Sequence, residues 1–180
     1  MTTICPNPPT HFYLRHCSSA NEAGFTMIEL LVVMAIVAIM SLMAAPSYID
    51  RLVRQQIVDA LPLAEIVKTP IADAWSAKPH KIPANNAEAF LPVPEKIVNN
   101  YIRSIQIDNG AIHITFGNSA HGAIIDKTLT LRPAVVEDAP IVPVTWICGN
   151  GPVPGNMTVK GPNKTNIEPM YLPINCRSRK

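Results

Sequence analysis

Residues 24–33 read GFTMIELLVV and open an apolar segment that decides the fold of this chain. The 25 residues from Phe25 to Ile49 carry one charged side chain, that of Glu29, and the stretch 30–45 carries none. A helix rises about 1.5 Å per residue, so about 20 residues cross the ~30 Å hydrocarbon core of a bilayer. The segment is therefore long enough to span a membrane as a helix.

The composition of the whole chain fits one domain of mixed structure attached to this segment. Its 180 residues suit a single domain, and its 18 prolines disfavour an all-helical bundle. The formal net charge of +2 argues against a dedicated nucleic-acid-binding protein. Four cysteines are too few for a disulfide-dense miniprotein.

The junction before the apolar segment resembles a known sequence motif. A carboxylate inside a membrane helix costs about 2.5–3.5 kcal/mol on insertion scales, so Glu29 predicts a function. The Gly24-Phe25 junction with this Glu four residues on resembles the motif of the type IV prepilin family. The resemblance implies that residues 1–24 are a leader, that a membrane prepilin peptidase cuts after Gly24, and that Phe25 is then N-methylated. It also makes Pro46 the family's helix-kinking proline.

Glu29 is predicted to act in assembly. The nearest basic residue further along the same helix is Arg51, so the Glu29 carboxylate has no partner within reach in its own helix. Cleavage after Gly24 creates a cation that the precursor lacks, the amino group of Phe25. We therefore expect the carboxylate of one subunit to meet the terminal amine of a neighbour. The alternative is a protonated and idle carboxylate.

Two plainer interpretations of the apolar segment are a simple membrane anchor and an imperfect signal peptide. A secretory signal has an apolar run of 7–15 residues followed by a small-residue cleavage site. Here the run is longer and no Ala-x-Ala site follows it. The junction at Gly24 therefore favours the prepilin interpretation.

The chain beyond Pro46 is predicted to continue the helix to Trp75, now with one apolar face. Apolar residues recur at near-helical spacing between polar ones. They are Leu52, Val53, Ile57, Leu61, Ala64 and Val67. Pro46, Pro62 and Pro70 each remove a helical hydrogen bond, so we expect one long, bent helix from Phe25 to Trp75.

Residues 76–180 are predicted to form a globular head built on an antiparallel sheet. Residues 76–98 are rich in proline and are expected to be an irregular loop. The four expected strands are residues 101–107, 111–116, 128–132 (ending at Pro133) and 144–148. Asn109-Gly110 between the first two is a strong hairpin signal. With the amphipathic half of the helix covering the apolar face, the fold class is α+β.

Segments of the predicted head also resemble type IVa pilins. Residues 99–117 resemble their first hairpin, and the regions of Cys148 and Cys176 resemble the two ends of their C-terminal loop. Because the leader of that family is cytoplasmic, these two cysteines are expected to meet an oxidising compartment and form a disulfide. The other two cysteines precede the cut and are removed with the leader.

The C-terminal region has a local excess of positive charge. From Cys148 onward Glu168 is the only acidic residue. The basic residues there are Lys160, Lys164, Arg177, Arg179 and Lys180. They are interpreted either as a solvated rim and tail or as a cationic surface that binds DNA.

Patterns of catalytic, metal or cofactor sites are weak in this sequence. Residues 117–121 lack the final Gly of a nucleophile elbow and open no predicted helix. His113 and His121 have no Cys or carboxylate partner at metal-ligand spacing. We therefore predict a structural protein without a catalytic site, metal or cofactor.

The resemblance implies a type IV pilin subunit. It further implies that prepilin peptidase processes this subunit, and that inner-membrane assembly machinery polymerises it from a single-pass membrane form into a homo-oligomeric surface filament. The filament would serve adhesion, twitching motility or DNA uptake. The alternatives left open are a minor or DNA-binding pilin, a pseudopilin of type II secretion, and a plain single-pass membrane protein.

Overall fold

A computed structural model describes residues 24–178, apart from the side chains of residues 44–47. Within those residues, one 50-residue helix, α1 (Met27–Ser76), precedes the strands. The strands are β1 (Ile102–Asp108), β2 (Ala111–Phe116), β3 (Thr128–Val135), β4 (Thr145–Cys148) and β5 (Thr158–Val159), and short 3₁₀ turns lie at Pro94–Lys96 and Ile174–Cys176. The helix followed by an antiparallel sheet confirms the predicted α+β class.

The helix is continuous in secondary structure through Pro46, Pro62 and Pro70. It begins at Met27, two residues later than predicted, and ends one residue later, at Ser76. The chain divides into two compact units after Leu42. The first contains the apolar start of α1, and the second contains the rest of α1 with the sheet. The kink at Pro46 stays a prediction.

The second half of α1 buries one face against the sheet. Its fully buried residues follow the 3.6-residue period. They are Val53, Ile57, Ala60, Ala64, Val67 and Ile71. On the sheet, the same core contains Ile105, Ile107, Ile112, Ile114, Phe116, Leu129 and Leu131. Leu52 was predicted for this face and is instead 43% exposed, because it lies one position outside the period set by Val53.

The sheet has the strand order β1-β2-β3-β4, with the unpredicted β5 paired to β3. All pairs are antiparallel. The predicted hairpin between β1 and β2 is confirmed, with Ile107 opposite Ile112. Asn109 and Gly110 in its turn both have positive φ, of 51° and 83°, as a two-residue hairpin turn requires.

The prediction that the third strand ends at Pro133 is wrong. β3 continues through Pro133, which lies opposite Trp146 of β4, to Val135. On its other side the register of β2 places Gly110 opposite Pro133, just before the first residue of β2. Within the paired part of β2, therefore, no residue needs the missing N–H of proline. The Pro133 carbonyl accepts a hydrogen bond from the backbone N–H of Lys160 at 2.9 Å.

Residues 158–166, which we call the strap, cover the sheet face opposite the helix. The strap starts as β5, passes the hairpin at Gly161 and ends beside Thr128, whose carbonyl accepts a hydrogen bond from the Asn166 backbone at 3.1 Å. A Cβ on Gly161 would lie 2.6 Å from that of Ala111, so the crossing needs glycine. Beneath the strap His113 is only 4% exposed, and it lies on the opposite face of β2 from Ile112.

Candidate functional site

The predicted cleavage and assembly residues lie at the start of α1. Gly24 and Phe25 precede the helix. Thr26 caps it, because its Oγ1 accepts a hydrogen bond from the backbone N–H of Glu29 at 3.2 Å and its carbonyl accepts one from Leu30. Thr followed three residues later by Glu is the spacing of a capping box, so this helix start was readable from the sequence and was missed.

Glu29 lies in the first turn of α1, exposed among apolar neighbours. The positive end of the helix dipole stabilises a carboxylate there. Among the described residues no basic nitrogen lies within 4.0 Å of it. The negative charge is thus available to a group from outside the described chain.

The apolar part of α1 is exposed on all sides in the single chain. Phe25, Met27 and Ile28 are each at least 70% exposed, and the helix is long and apolar enough to cross a membrane. Ser41 satisfies its hydroxyl within the helix by donating to the Val37 carbonyl at 2.8 Å, as a polar group in lipid must. This surface suits lipid or copies of the same helix.

Gly24 is not required by the packing of the described residues. An ideal Cβ built on Gly24 meets no heavy atom of the described residues within 4 Å. By contrast, a Cβ on Gly151 would lie 2.4 Å from the Asn175 carbonyl oxygen. A requirement for glycine at position 24 therefore points to a second molecule that contacts the backbone there.

The predicted disulfide is confirmed. Cys148 at the end of β4 and Cys176 in the last 3₁₀ turn are bonded, with an S–S distance of 2.04 Å. The backbone N–H of Asn150 also donates to the Cys176 carbonyl at 3.0 Å. Gly149 has a φ of +52°, and a Cβ there would lie 2.9 Å from the same carbonyl oxygen. The bridge and this turn together close the C-terminal loop.

A polar cluster lies under the strap. The Lys164 Nζ is 2.7 Å from the Asp108 Oδ2, and the His113 Nε2 is 3.7 Å from the same oxygen. The other ring nitrogen of His113 is 3.0 Å from the Thr130 Oγ1, which also accepts the backbone N–H of Lys164. Residue spacing predicted no carboxylate partner for His113, and the hairpin brings Asp108 to it. No cluster of three metal-binding side chains occurs within residues 24–178.

The predicted cationic surface is partly neutralised. Lys160 pairs with Glu137, and Lys164 pairs with Asp108. Arg177 donates to backbone carbonyls, including that of Leu172 at 2.8 Å. The last two basic residues lie outside the described part of the chain.

Comparison with known proteins identifies the family. A family model for pilin, a bacterial filament protein, matches residues 53–177, and a model for the prokaryotic N-terminal methylation motif matches residues 19–45. The chain belongs to the type IV pilin family. A type IV major pilin protein of Neisseria gonorrhoeae is 31% identical over 162 residues, covering 87% of each chain.

Two further relatives support the assignment. A fimbrial protein of Neisseria meningitidis (serogroup A, serotype 4A) is 33% identical over 166 residues, covering 87% of this pilin and 94% of the relative. A type IV major fimbrial protein of Dichelobacter nodosus is 29% identical over 143 residues, covering 72% and 88%. This pilin is thus a structural pilus subunit, anchored in the inner membrane by its apolar helix and then part of the surface pilus.

Proposed function

We propose that residues 1–24 of this pilin are removed by prepilin peptidase, that Phe25 is N-methylated, and that the mature chain polymerises into the pilus. The observation that carries the proposal is the start of α1. It combines a glycine that the packing of residues 24–178 does not need with an exposed apolar helix. The first turn of this helix holds a carboxylate without a basic partner among those residues. A peptidase substrate and a filament subunit need these features together.

Assembly follows from the charges that cleavage creates. Residues 25–49 lie in the membrane before assembly and in the filament core afterwards, with the head of residues 76–180 outside. The new amine of Phe25 meets the Glu29 carboxylate of a neighbouring subunit. In the low dielectric of packed helices this attraction is far stronger than in water, although desolvation offsets much of it. Inner-membrane machinery supplies the subunits in order.

The filament is proposed to serve adhesion, twitching motility or DNA uptake. DNA binding through the C-terminal basic residues is the less supported role, because Lys160 and Lys164 are already ion-paired. A type II secretion pseudopilin is also less supported, since the relatives named above are pilins and fimbrial proteins.

Intact-mass analysis of filaments sheared from cells tests the proposal. We expect an abundant species that begins at Phe25 and carries one methyl group at its terminus. A species of that mass present only in trace amounts, in filaments built from another subunit, would instead identify a minor pilin. Recovery of the uncleaved chain alone, in the membrane fraction, would contradict the processing step.

A further inference from the structure

Two arginines donate hydrogen bonds to the same backbone carbonyl of the head. The Arg54 Nη2 donates to the carbonyl oxygen of Met170 at 2.7 Å, and the Arg177 Nη2 donates to the same oxygen at 3.0 Å. The two guanidinium groups are therefore within about 6 Å of each other. They join the second half of α1 to the disulfide-closed loop.

These arginines lack acidic partners. No carboxylate of the described residues lies within 4.0 Å of their nitrogens, although Arg103, Lys160 and Lys164 all have one. The Arg54 Nε is buried and has no hydrogen-bond partner among the described residues. Two like charges at this distance repel each other, so an anion placed beside both would be stabilised by both.

Three acidic residues lie near the pair in the chain, and none of them forms an ion pair with it. Asp59 accepts a hydrogen bond from the Gln55 side chain at 2.9 Å. Asp50 precedes Arg54 by one helical turn, and Glu168 lies two residues before the shared carbonyl; neither forms an ion pair. Arg51 adds a third guanidinium to the pair, because Arg51 and Arg54 are three residues apart in α1 and therefore lie on the same face of the helix.

The number of helical residues between Phe25 and the arginines matches the thickness of a bilayer. From Phe25 to Arg51 and Arg54 the helical rise amounts to at most about 39–44 Å. A bilayer with its headgroups is about 40–45 Å thick. With Phe25 at the cytoplasmic surface, the arginines reach the headgroups of the outer leaflet. A shallow groove lined by Tyr48, Arg51, Leu52 and Gln55 lies at the same level and offers an apolar and aromatic wall.

We propose that Arg51, Arg54 and Arg177 bind the phosphate of an anionic phospholipid in the outer leaflet of the inner membrane. Arginine forks match the oxygens of a phosphate, and the groove beside Arg51 accommodates the start of an acyl chain. The site holds the inserted subunit at a fixed depth before assembly. The inference concerns the membrane-inserted chain and does not depend on cleavage at Gly24.

The test is lipid selection by the full-length chain in nanodiscs made of equal amounts of phosphatidylglycerol and phosphatidylcholine. Native mass spectrometry of the released protein gives the ratio of the two lipids bound. Each basic residue near an anionic surface raises the affinity for that surface about fivefold. We therefore expect phosphatidylglycerol to be enriched at least fivefold over phosphatidylcholine. Arg51→Gln should reduce the enrichment, Arg51→Gln with Arg54→Gln should reduce it further, and Arg54→Lys should retain most of it.

The matched control is Lys78→Gln with Lys81→Gln, which removes two charges beyond the far end of α1 and should leave the enrichment unchanged. Equal binding of both lipids by the wild type would overturn the proposal, as would equal enrichment in the double arginine variant and the control. Displacement of the lipid by millimolar inorganic phosphate would show a site for soluble anions and overturn the lipid assignment. Should the double variant fail to fold, the exposed Arg51→Gln decides alone.

Discussion

The His113 Nε2 lies 3.7 Å from the Asp108 Oδ2 beneath the strap, yet Lys164 binds that oxygen more closely, at 2.7 Å. Burial lowers the pKa of His113, and the positive charge of Lys164 lowers it further, while Asp108 offsets only part of both effects. Lys164 lowers the pKa of Asp108. In the folded head His113 is therefore the neutral member of a cluster that already contains one complete ion pair.

Acid should destabilise the head through His113. Its pKa is lower in the folded than in the unfolded chain, so the unfolded chain takes up the proton first as the pH falls below about 6.5. A second loss follows below about pH 4, because the pKa of Asp108 is also lowered. Melting temperatures of the full chain in detergent at pH 7.5 and 5.5 check the first loss. We expect a clear drop for the wild type and a smaller one for His113→Gln; equal drops would contradict the role of His113.

Asn86 should be among the most sensitive polar residues of the head. Its side chain is 6% exposed, donates to the Pro92 and Ile105 carbonyls at 3.1 and 3.0 Å, and accepts the Ile107 N–H at 2.7 Å. Asn86→Leu leaves these groups buried without partners and should cost about 2–4 kcal/mol in free energy of unfolding. Asn85→Leu, at the exposed neighbour, should cost less than about 1 kcal/mol. Denaturant titration compares the two, and similar losses would contradict the assignment.

Structural features that have a local sequence pattern could be predicted, and features that depend on contacts between segments could not. The hairpin at Asn109-Gly110 and the buried face of α1 follow from turn chemistry and helical period, so they were found within a residue or two. The two-residue β5 has no pattern of its own, and it forms because Gly161 lets the strap approach Ala111. The Ile105 and Ile107 partners of Asn86 exist only once separate segments of the chain meet. The carboxylate of Asp108 comes close to His113 only once the hairpin has formed.

Loss of the disulfide should weaken the head without affecting the leader. The bridge between Cys148 and Cys176 joins residues 28 apart, and removing a native disulfide typically costs 2–5 kcal/mol. Cys148→Ser should therefore lower pilus yield while the leader is still removed. Cys5→Ser with Cys17→Ser is the control, because both lie before the cut and should change nothing. Identical mobility of the wild type on reducing and non-reducing gels, with both thiols open to alkylation, would contradict the bridge.

Gly24→Val should block processing. The described chain leaves open space around Gly24, so a valine there is harmless to the fold and acts on the peptidase, which must approach the backbone at the cut. We expect full-length precursor in the membrane and no pili. Gly122→Val is a matched control, because a Cβ on Gly122 also meets nothing within 4 Å and it is remote from the cut. Normal processing of Gly24→Val on a gel would refute the cleavage site.

Glu29→Ala should separate processing from assembly. The substitution leaves the glycine and Thr26 cap in place, so cleavage and insertion should proceed normally. It removes the carboxylate that the amine of Phe25 needs in a packed apolar core, where an unpaired charge is costly. Processed subunits should accumulate in the inner membrane with few or no pili by electron microscopy. Glu168→Ala, an exposed carboxylate on the head, is the control and should assemble normally. Abundant filaments from Glu29→Ala subunits alone would contradict the pairing mechanism while leaving the family assignment intact.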